Sequence, residues 1–171
     1  MNVQAQFYIQ FSSPVGLLTV VRGPLGICKI IWQDEQEGLT QVENLATHNP
    51  TDLLLCQARS QIKEYFLGTR TTFDLPLAPE GTEFQKKTWL TLAKIPYGKT
   101  ISYGQQAALL GDVKKARAVG AANGKNPLSI VVPCHRVVGA NGALTGFAGG
   151  LEAKKLLLDL EKKCLANLMH S

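Results

Sequence analysis

Three apolar-rich runs occupy the first third of the chain, QFYIQFSS, LLTVVRG and ICKIIWQ, separated by Pro-Val-Gly and Gly-Pro-Leu-Gly. Short β-favouring runs punctuated by turn residues predict strands, and links this short predict an antiparallel sheet. The pattern then changes period. Across residues 52–67 the apolar positions Leu54, Leu55, Ala58, Ile62, Tyr65 and Phe66 recur at helical spacing, and Gly68 stops the helix. The segment TFDLPLAPEGTEF carries two prolines and a glycine between patterned regions, which places a boundary near residues 76–82 and predicts domains over 1–80 and 81–171.

Beyond the boundary the helical period dominates. Thr82 is a candidate N-cap for a helix that turns Phe84, Trp89, Leu92 and Ile95 toward a core before Pro96 ends the pattern. Two shorter helical patterns follow, SYGQQAALLG and KKARAVGAANGK, joined at Gly-Asp-Val, which is the spacing of a helix-turn-helix. The second is built of small residues, with Ala118, Gly120, Ala121, Asn123 and Gly124 around the single long side chain of Arg117. Such a helix has little with which to read base edges in a wide major groove. It can press its backbone against a surface with the arginine projecting, or pack tightly on another helix, and spacing does not choose between them. The last segment, GGLEAKKLLLDLEKKCLANL, predicts an amphipathic helix with leucines inward and Lys154, Lys155, Lys162 and Lys163 outward. Glu161 reads there as a solvated partner of those lysines. The expected fold class is α/β (α+β), a small N-terminal sheet-plus-helix domain followed by a mainly helical C-terminal domain with a helix-turn-helix.

Composition narrows the class. With 171 residues, 45% hydrophobic and 18% charged, the chain is that of an ordinary globular protein. No apolar run approaches the ~20 residues of a membrane helix, and MNVQAQFYIQFSSP has no leader character, so an intracellular, cytoplasmic location is expected, or a nuclear one in a eukaryote. Cys28, Cys56, Cys134 and Cys164 are scattered and are expected as thiols, with no zinc spacing among them. Charge is lopsided: residues 1–81 carry five Lys and Arg against eight Asp and Glu, and residues 82–171 carry thirteen against five. A basic C-terminal half suits a polyanionic partner, because Lys and Arg at phosphates release condensed counterions; a merely solvated basic surface would look the same.

That basic half contains SIVVPCHRVVGANG, residues 129–142. The β-branched run reads as a buried strand, and Cys134 beside His135 reads as an activated nucleophile. The imidazole and Arg136 are expected to lower the thiol pKa. Adjacent side chains on an extended chain face opposite ways, so either the chain turns sharply after Pro133 or a water bridges the pair. A histidine acting as base needs a partner on its other ring nitrogen, and Glu161 is the candidate if the final helix folds back. Cys28, Cys56 and Cys164 carry no such neighbours and are expected to be inert packing.

NPLSIVVPCHRVVGANGALTGFAGG followed by KKLLLDLE closely resembles the O6-alkylguanine-DNA alkyltransferases, also called methylated-DNA–protein-cysteine methyltransferases. The resemblance is dense over 82–171, through FQKKTW, IPYGKTISYG, ARAVGAANGKNP and PCHRV, and looser before it, through SPVGLLTV and EYFLG. It implies that Cys134 accepts the alkyl group from O6-alkylguanine, and from O4-alkylthymine in some relatives, in a flipped-out nucleotide of duplex DNA. It further implies His135 as a water-mediated base, Glu161 as its orienting carboxylate and Asn126 as the tie between recognition helix and active-site segment. Arg117 would enter the base stack, and Tyr103 would help rotate the nucleotide. Ala118, Gly120, Ala121, Asn123 and Gly124 would line the minor groove, while Tyr103, Val137, Phe147 and Ala148 would line the base pocket. No cofactor and no metal are implied. A monomer acting once is expected, because a thioether offers water no carbonyl to attack.

Two departures stand out. Phe147 occupies a position where many relatives carry tyrosine, so alkyl-size preference is open to change. The cysteine-rich N-terminal zinc module of some relatives is missing, which leaves phosphotriester repair unsupported, and the first domain is expected to be a scaffold. Two other readings compete: a non-enzymatic recogniser of alkylated bases, against which Cys134 argues, and a Cys-His hydrolase, against which the basic half and the small-residue helix argue.

Overall fold

The computed structural model describes residues 5–171, which divide between Glu80 and Gly81 into two compact units. In the first, β1 (Gln6–Ser13), β2 (Gly16–Gly23) and β3 (Gly26–Trp32) form the antiparallel meander that their turn residues predict. A short strand, β4 (Ala46–His48), adds to the free side of β1 in parallel, giving the order β3-β2-β1-β4. The sheet is therefore mixed, a correction to the wholly antiparallel expectation. The crossover that makes β4 parallel is α1 (Gln36–Leu45), whose sequence QEGLTQVENL buries only Val42 and so carries little apolar period to detect.

The sheet is covered on both faces, which is why Leu18, Val20 and Val21 on β2 are all fully buried. Val21 joins Cys28, Ile31 and Val42 on the α1 side. The helix α2 (Leu53–Phe66) packs on β1, β2 and β3 through a stripe of Leu55, Ala58, Ile62 and Tyr65. Asp52 caps it by accepting from the Leu55 N–H at 3.0 Å, and the same carboxylate holds Arg22 at 2.6 Å. Gly68, at φ +75°, ends the helix in the left-handed conformation that glycine adopts without strain.

The second unit is mainly helical. It contains α3 (Glu83–Leu92), β5 (Ile101–Ser102), α4 (Tyr103–Leu109), α5 (Ala116–Gly124), β6 (Val137–Val138) and α6 (Gly150–Met169). Both α3 and α4 begin with reciprocal capping boxes, Thr82 with Gln85 and Ser102 with Gln105, so each helix start is written into four residues of sequence. A 3₁₀ turn at Val113–Lys115, capped by Asp112, links α4 to α5 and completes the helix-turn-helix. β5 pairs in parallel with β6, which puts the residues after the Cys-His pair beside the start of α4.

What orients α5 is polar. The Trp89 Nε1–H donates to the Ala122 carbonyl at 2.8 Å, tying α3 to α5. Gln106 on α4 and Asn123 on α5 exchange amide hydrogen bonds at 2.7 and 3.2 Å, and the Gln106 amide also donates to the Thr91 hydroxyl at 3.0 Å. Three helices thus meet at one buried amide pair. Replacing one amide leaves its partner desolvated without compensation, which costs about 1–3 kcal/mol. Gln106→Leu is therefore expected to lower the unfolding free energy obtained from urea titration by that amount, and an unchanged value would show that the pair adds nothing to the packing of α4 on α5.

Candidate functional site

The residues before the Cys-His pair do not form a strand. Between Leu128 and Val132 the chain makes a tight turn: the Val132 N–H donates to the Leu128 carbonyl at 2.8 Å, and Ile130 sits at φ +81°. Leu128 and Ile130 are buried, so the apolar run is real, but it marks a buried turn instead of a ladder. Asn126 clamps that turn at both ends. Its Oδ1 accepts from the Leu128 N–H at 3.0 Å and its Nδ2 donates to the Val132 carbonyl at 2.9 Å. Its own N–H donates to the Asn123 carbonyl, at 3.1 Å, so the clamp is continuous with the end of α5.

After Pro133 the chain turns sharply into a single 3₁₀ turn, Cys134–Arg136. This is the first of the two geometries open to an adjacent Cys-His pair. The turn also separates the tasks of His135 and Arg136, both of which reach α6. Glu161, fully buried, accepts from His135 Nε2 at 2.6 Å and from Arg136 through Nε at 2.9 Å and Nη2 at 3.0 Å. Its Oε2 also accepts the Gly98 N–H at 2.9 Å. Gly98 has φ +73°, and a Cβ there would meet Leu165 at 2.7 Å, so only glycine brings this amide so close. Arg136 completes its contacts on the Ile95 carbonyl at 2.8 Å and lies over the Tyr97 ring.

Electrostatics follow from these contacts. Burial alone would raise the Glu161 carboxyl, but the hydrogen bonds and charges of His135 and Arg136 outweigh it and hold the group at about 2. A carboxylate so firmly ionised has no proton to give, so the hydrogen between it and His135 belongs to Nε2, and Nδ1 carries the lone pair. Burial lowers the His135 pKa more than Glu161 restores it, which keeps the ring neutral and basic. Cys134 corrects the expectation of a lowered thiol: burial pushes it up, against the opposing pulls of Asn126, Ser129 and the Lys154 charge.

Lys154 is the larger surprise. Expected outward, it is fully buried, and its Nζ donates to the carbonyls of Val137 at 2.7 Å and Thr145 at 2.8 Å. Burial lowers its pKa, and the nearby Cys134 opposes that shift. The buried stripe of α6 is Ala153, Lys154, Leu157 and Glu161, whereas Leu151, Leu156 and Leu168 are exposed, so the leucine-inward reading is corrected as well. Two charged residues seven apart with Leu157 between them were the signal. Glu161 is likewise buried and paired where the lysine-rich helix suggested a solvated residue.

The other expected residues fall into two groups. Arg117, Ala118, Ala121 and Gly124 share one exposed face of α5 with Lys125. Gly120 lies between that face and Tyr103, whose ring would be 3.6 Å from an added Cβ. Asn123 departs from the expected groove-facing set: it is buried, with its amide committed to Gln106. Tyr103 is half-buried against the cluster of Trp89, Leu92, Ile95, Cys134 and Val137, and its hydroxyl donates to the Thr145 carbonyl at 3.3 Å. Phe147 packs on that cluster too, 6.5 Å edge-on from His135, while Ala148 is exposed and Val137 is wholly inside. Arg136, Gly98, Lys154 and the Gln106–Asn123 pair were missed as site-building residues. Among the described residues no helix is long and apolar enough to cross a membrane.

Known proteins share this chain's sequence and fold. Residues 83–163 match the family described as 6-O-methylguanine DNA methyltransferase, DNA binding domain, and residues 6–79 match its ribonuclease-like domain. The chain is 43% identical over 158 residues to a methylated-DNA–protein-cysteine methyltransferase of Methanosarcina acetivorans, covering 92% of this chain and 99% of that one. It is 43% identical over 162 residues to the constitutive enzyme of that name from Bacillus subtilis, covering 91% and 95%. The crystal structure of the Mycobacterium tuberculosis O6-methylguanine methyltransferase superposes with a TM-score of 0.83 at 41% identity, covering 92% and 93%. A crystal structure of Mycobacterium tuberculosis OGT in complex with DNA superposes equally well, covering 92% and 94%.

The Glu161 cluster makes acid stability predictable. Its folded pKa, about 2, lies below the ordinary 4.5, so its contribution is fully present above pH 4.5 and is lost as pH falls toward 2. That contribution is on the order of 3 kcal/mol. Glu161→Gln, which also leaves Arg136 facing a neutral group, is expected to be clearly less stable at pH 7. The gap from the parent should narrow steadily below pH 4.5 in denaturant titrations. A gap independent of pH would mean the carboxylate charge is not what holds the site.

Proposed function

Because the chain belongs to the 6-O-methylguanine DNA methyltransferase family, we propose that Cys134 is the residue on which its chemistry ends. The family's activity is this chain's activity: it repairs DNA by moving the methyl group of O6-methylguanine onto a cysteine of the protein itself. It binds DNA to do so. The assignment of Cys134 is carried by the 2.6 Å bond from His135 Nε2 to Glu161, within the same turn that holds the thiol. That bond leaves Nδ1 of a neutral ring as the base.

The reaction then runs as a proton transfer followed by a displacement. The Cys134 proton passes to His135 Nδ1, through a bridging water as the family resemblance implies, and Glu161 stabilises the imidazolium. Sulfur attacks the methyl carbon in line with the departing oxygen; the S–C bond forms as the C–O bond breaks, and the electron pair stays on guanine, which is reprotonated. Tyr103, packed against the same cluster, would donate toward the base by giving up its bond to the Thr145 carbonyl, and Lys154 would add positive charge beside the developing thiolate. Phe147 and the backbone around Val137 and Ala148 would border the base.

A raised thiol pKa fits this order of events. The free protein keeps an unreactive thiol, and the nucleophile is made when the base is in place. DNA approach fits the exposed small-residue face of α5, with Arg117 filling the gap left by a base turned out of the stack and offsetting an unstacking penalty of about a few kcal/mol. The basic second unit supplies phosphate contacts, and the first unit serves as scaffold. The protein works as a monomer inside the cell, on O6-alkylguanine, with O4-alkylthymine as a further substrate.

Mixing the protein with excess duplex containing O6-methylguanine is expected to add one methyl, about 14 Da by intact mass, that stops at one equivalent and is absent in Cys134→Ala. Tight lesion binding without a mass gain would leave only a damage-recognition module, and repeated turnover would favour a hydrolase. On α5, Ala121→Leu changes an exposed residue and should leave thermal stability unaltered. It is expected to weaken duplex affinity at least about tenfold by holding the helix away from the groove. Unchanged affinity would remove this face from the DNA interface.

A further inference from the structure

The turn before the thiol contains a hydroxyl that the reaction above does not use. Ser129 is 1% exposed, and its Oγ lies 3.9 Å from Cys134 Sγ, a hydrogen-bonding contact in which either atom can donate. Its position is dictated by backbone. Ile130, next in sequence, is alone among the described non-glycine residues in having a positive φ, +81°, and it is β-branched. A branched side chain in that region is strained and persists only where the surroundings over-determine it. The surroundings here are the Asn126 clamp on Leu128 and Val132 and the bridge between Ser129 and Val132. Their joint effect is to fold Ser129 back beneath a thiol five residues further on.

We propose that Ser129 is a catalytic residue of the methyl transfer, its hydroxyl donating a hydrogen bond to Cys134 Sγ as that sulfur becomes anionic. While the thiol holds its proton, the contact is a weak exchange between two donors. Once the proton has gone to His135, only the serine can donate, and a charged acceptor draws the bond tighter. Ser129 keeps its own proton throughout. The S–C bond forms, the C–O bond breaks toward guanine, and the proton lost by sulfur is the one that returns to the base. The methylated sulfur of the product accepts hydrogen bonds poorly. The contact is therefore strongest between the two end states, where it accelerates the reaction instead of merely holding reactants. The other charged and titratable groups around the sulfur are Lys154, His135 and the Arg136–Glu161 pair, none of which touches Ser129 through a hydrogen bond given by the fold.

The inference rests on Cys134 as acceptor, and the test separates the two. Single-turnover transfer from an O6-methylguanine duplex is followed by intact mass across the pH range in the parent, Ser129→Ala, Ser129→Thr and Ser129→Val. Ser129→Ala should transfer about tenfold more slowly, with the rise of rate with pH moved up by about one unit, while duplex affinity stays the same. Ser129→Thr and Ser129→Val have nearly equal volume and differ in the hydroxyl, so the threonine variant should outpace the valine variant by a similar factor even if the alanine variant folds poorly. Parent-like rate and pH profile in Ser129→Ala, or equal rates for the threonine and valine variants, overturns the proposal. Transfer that persists in Cys134→Ala would instead overturn the choice of acceptor.

Discussion

The second unit is organised around one buried carboxylate. Glu161 is placed where no water reaches it, and a lone charge in that position would cost several kcal/mol. Every neighbour answers that constraint. Arg136 brings a bidentate guanidinium, His135 brings a ring N–H, and Gly98 brings a backbone N–H from the turn after α3. These partners come from two separate stretches of chain and the carboxylate from a third, so satisfying it fixes where α6, the Cys-His turn and the turn after α3 must lie. The consequence for the proposed chemistry is secondary to this packing requirement, yet it follows directly: a carboxylate that cannot take the proton forces the His135 tautomer that carries its hydrogen on Nε2.

The same economy governs the proposed nucleic-acid face. A helix of alanines and glycines gains little from hydrophobic burial, so α5 needs other anchors. It has the Trp89 bond to Ala122 and the reciprocal amides of Gln106 and Asn123. Because those anchors lie on the buried side, the opposite face is free to carry only Arg117, Ala118, Ala121 and Gly124. The Asn126 clamp begins where α5 ends. The distance from α5 to the proposed acceptor is therefore set by a short run of chain held by the Asn126 clamp and not by a flexible loop.

Much of this was legible in the sequence, and what was not has physical reasons. The meander, α2 and the capped helices carry turn and cap residues at fixed offsets, and PCHRV with its Asn-Pro and Gly-Gly neighbours identifies the family. By contrast α1 and β4 were invisible because one buried valine gives no period. The run SIVVP reads as a strand because β-branched residues suit strands in general; only the Asn126 clamp, a non-local contact, bends it into a turn. Lys154 was misjudged by the usual rule that lysines point outward. That rule fails where two carbonyls are already waiting in the interior, and the carbonyls of Val137 and Thr145 cannot be located without the fold.

A site this dry raises a physical difficulty that also explains its design. Burial disfavours the thiolate, disfavours the imidazolium and disfavours the lysine charge, so Cys134, His135 and Lys154 are each shifted toward the neutral form. A permanently exposed thiolate would react with any electrophile in the cell and be used up without repairing anything. The acceptor proposed for Cys134 is better served by a thiol held neutral until substrate is bound, with the stabilising charges already in place and already compensated. In that arrangement Glu161 and Arg136 neutralise each other at rest. The thiolate is then made by moving one proton from sulfur to His135, which separates charge without adding any, and preorganised donors near sulfur are worth most where water is excluded.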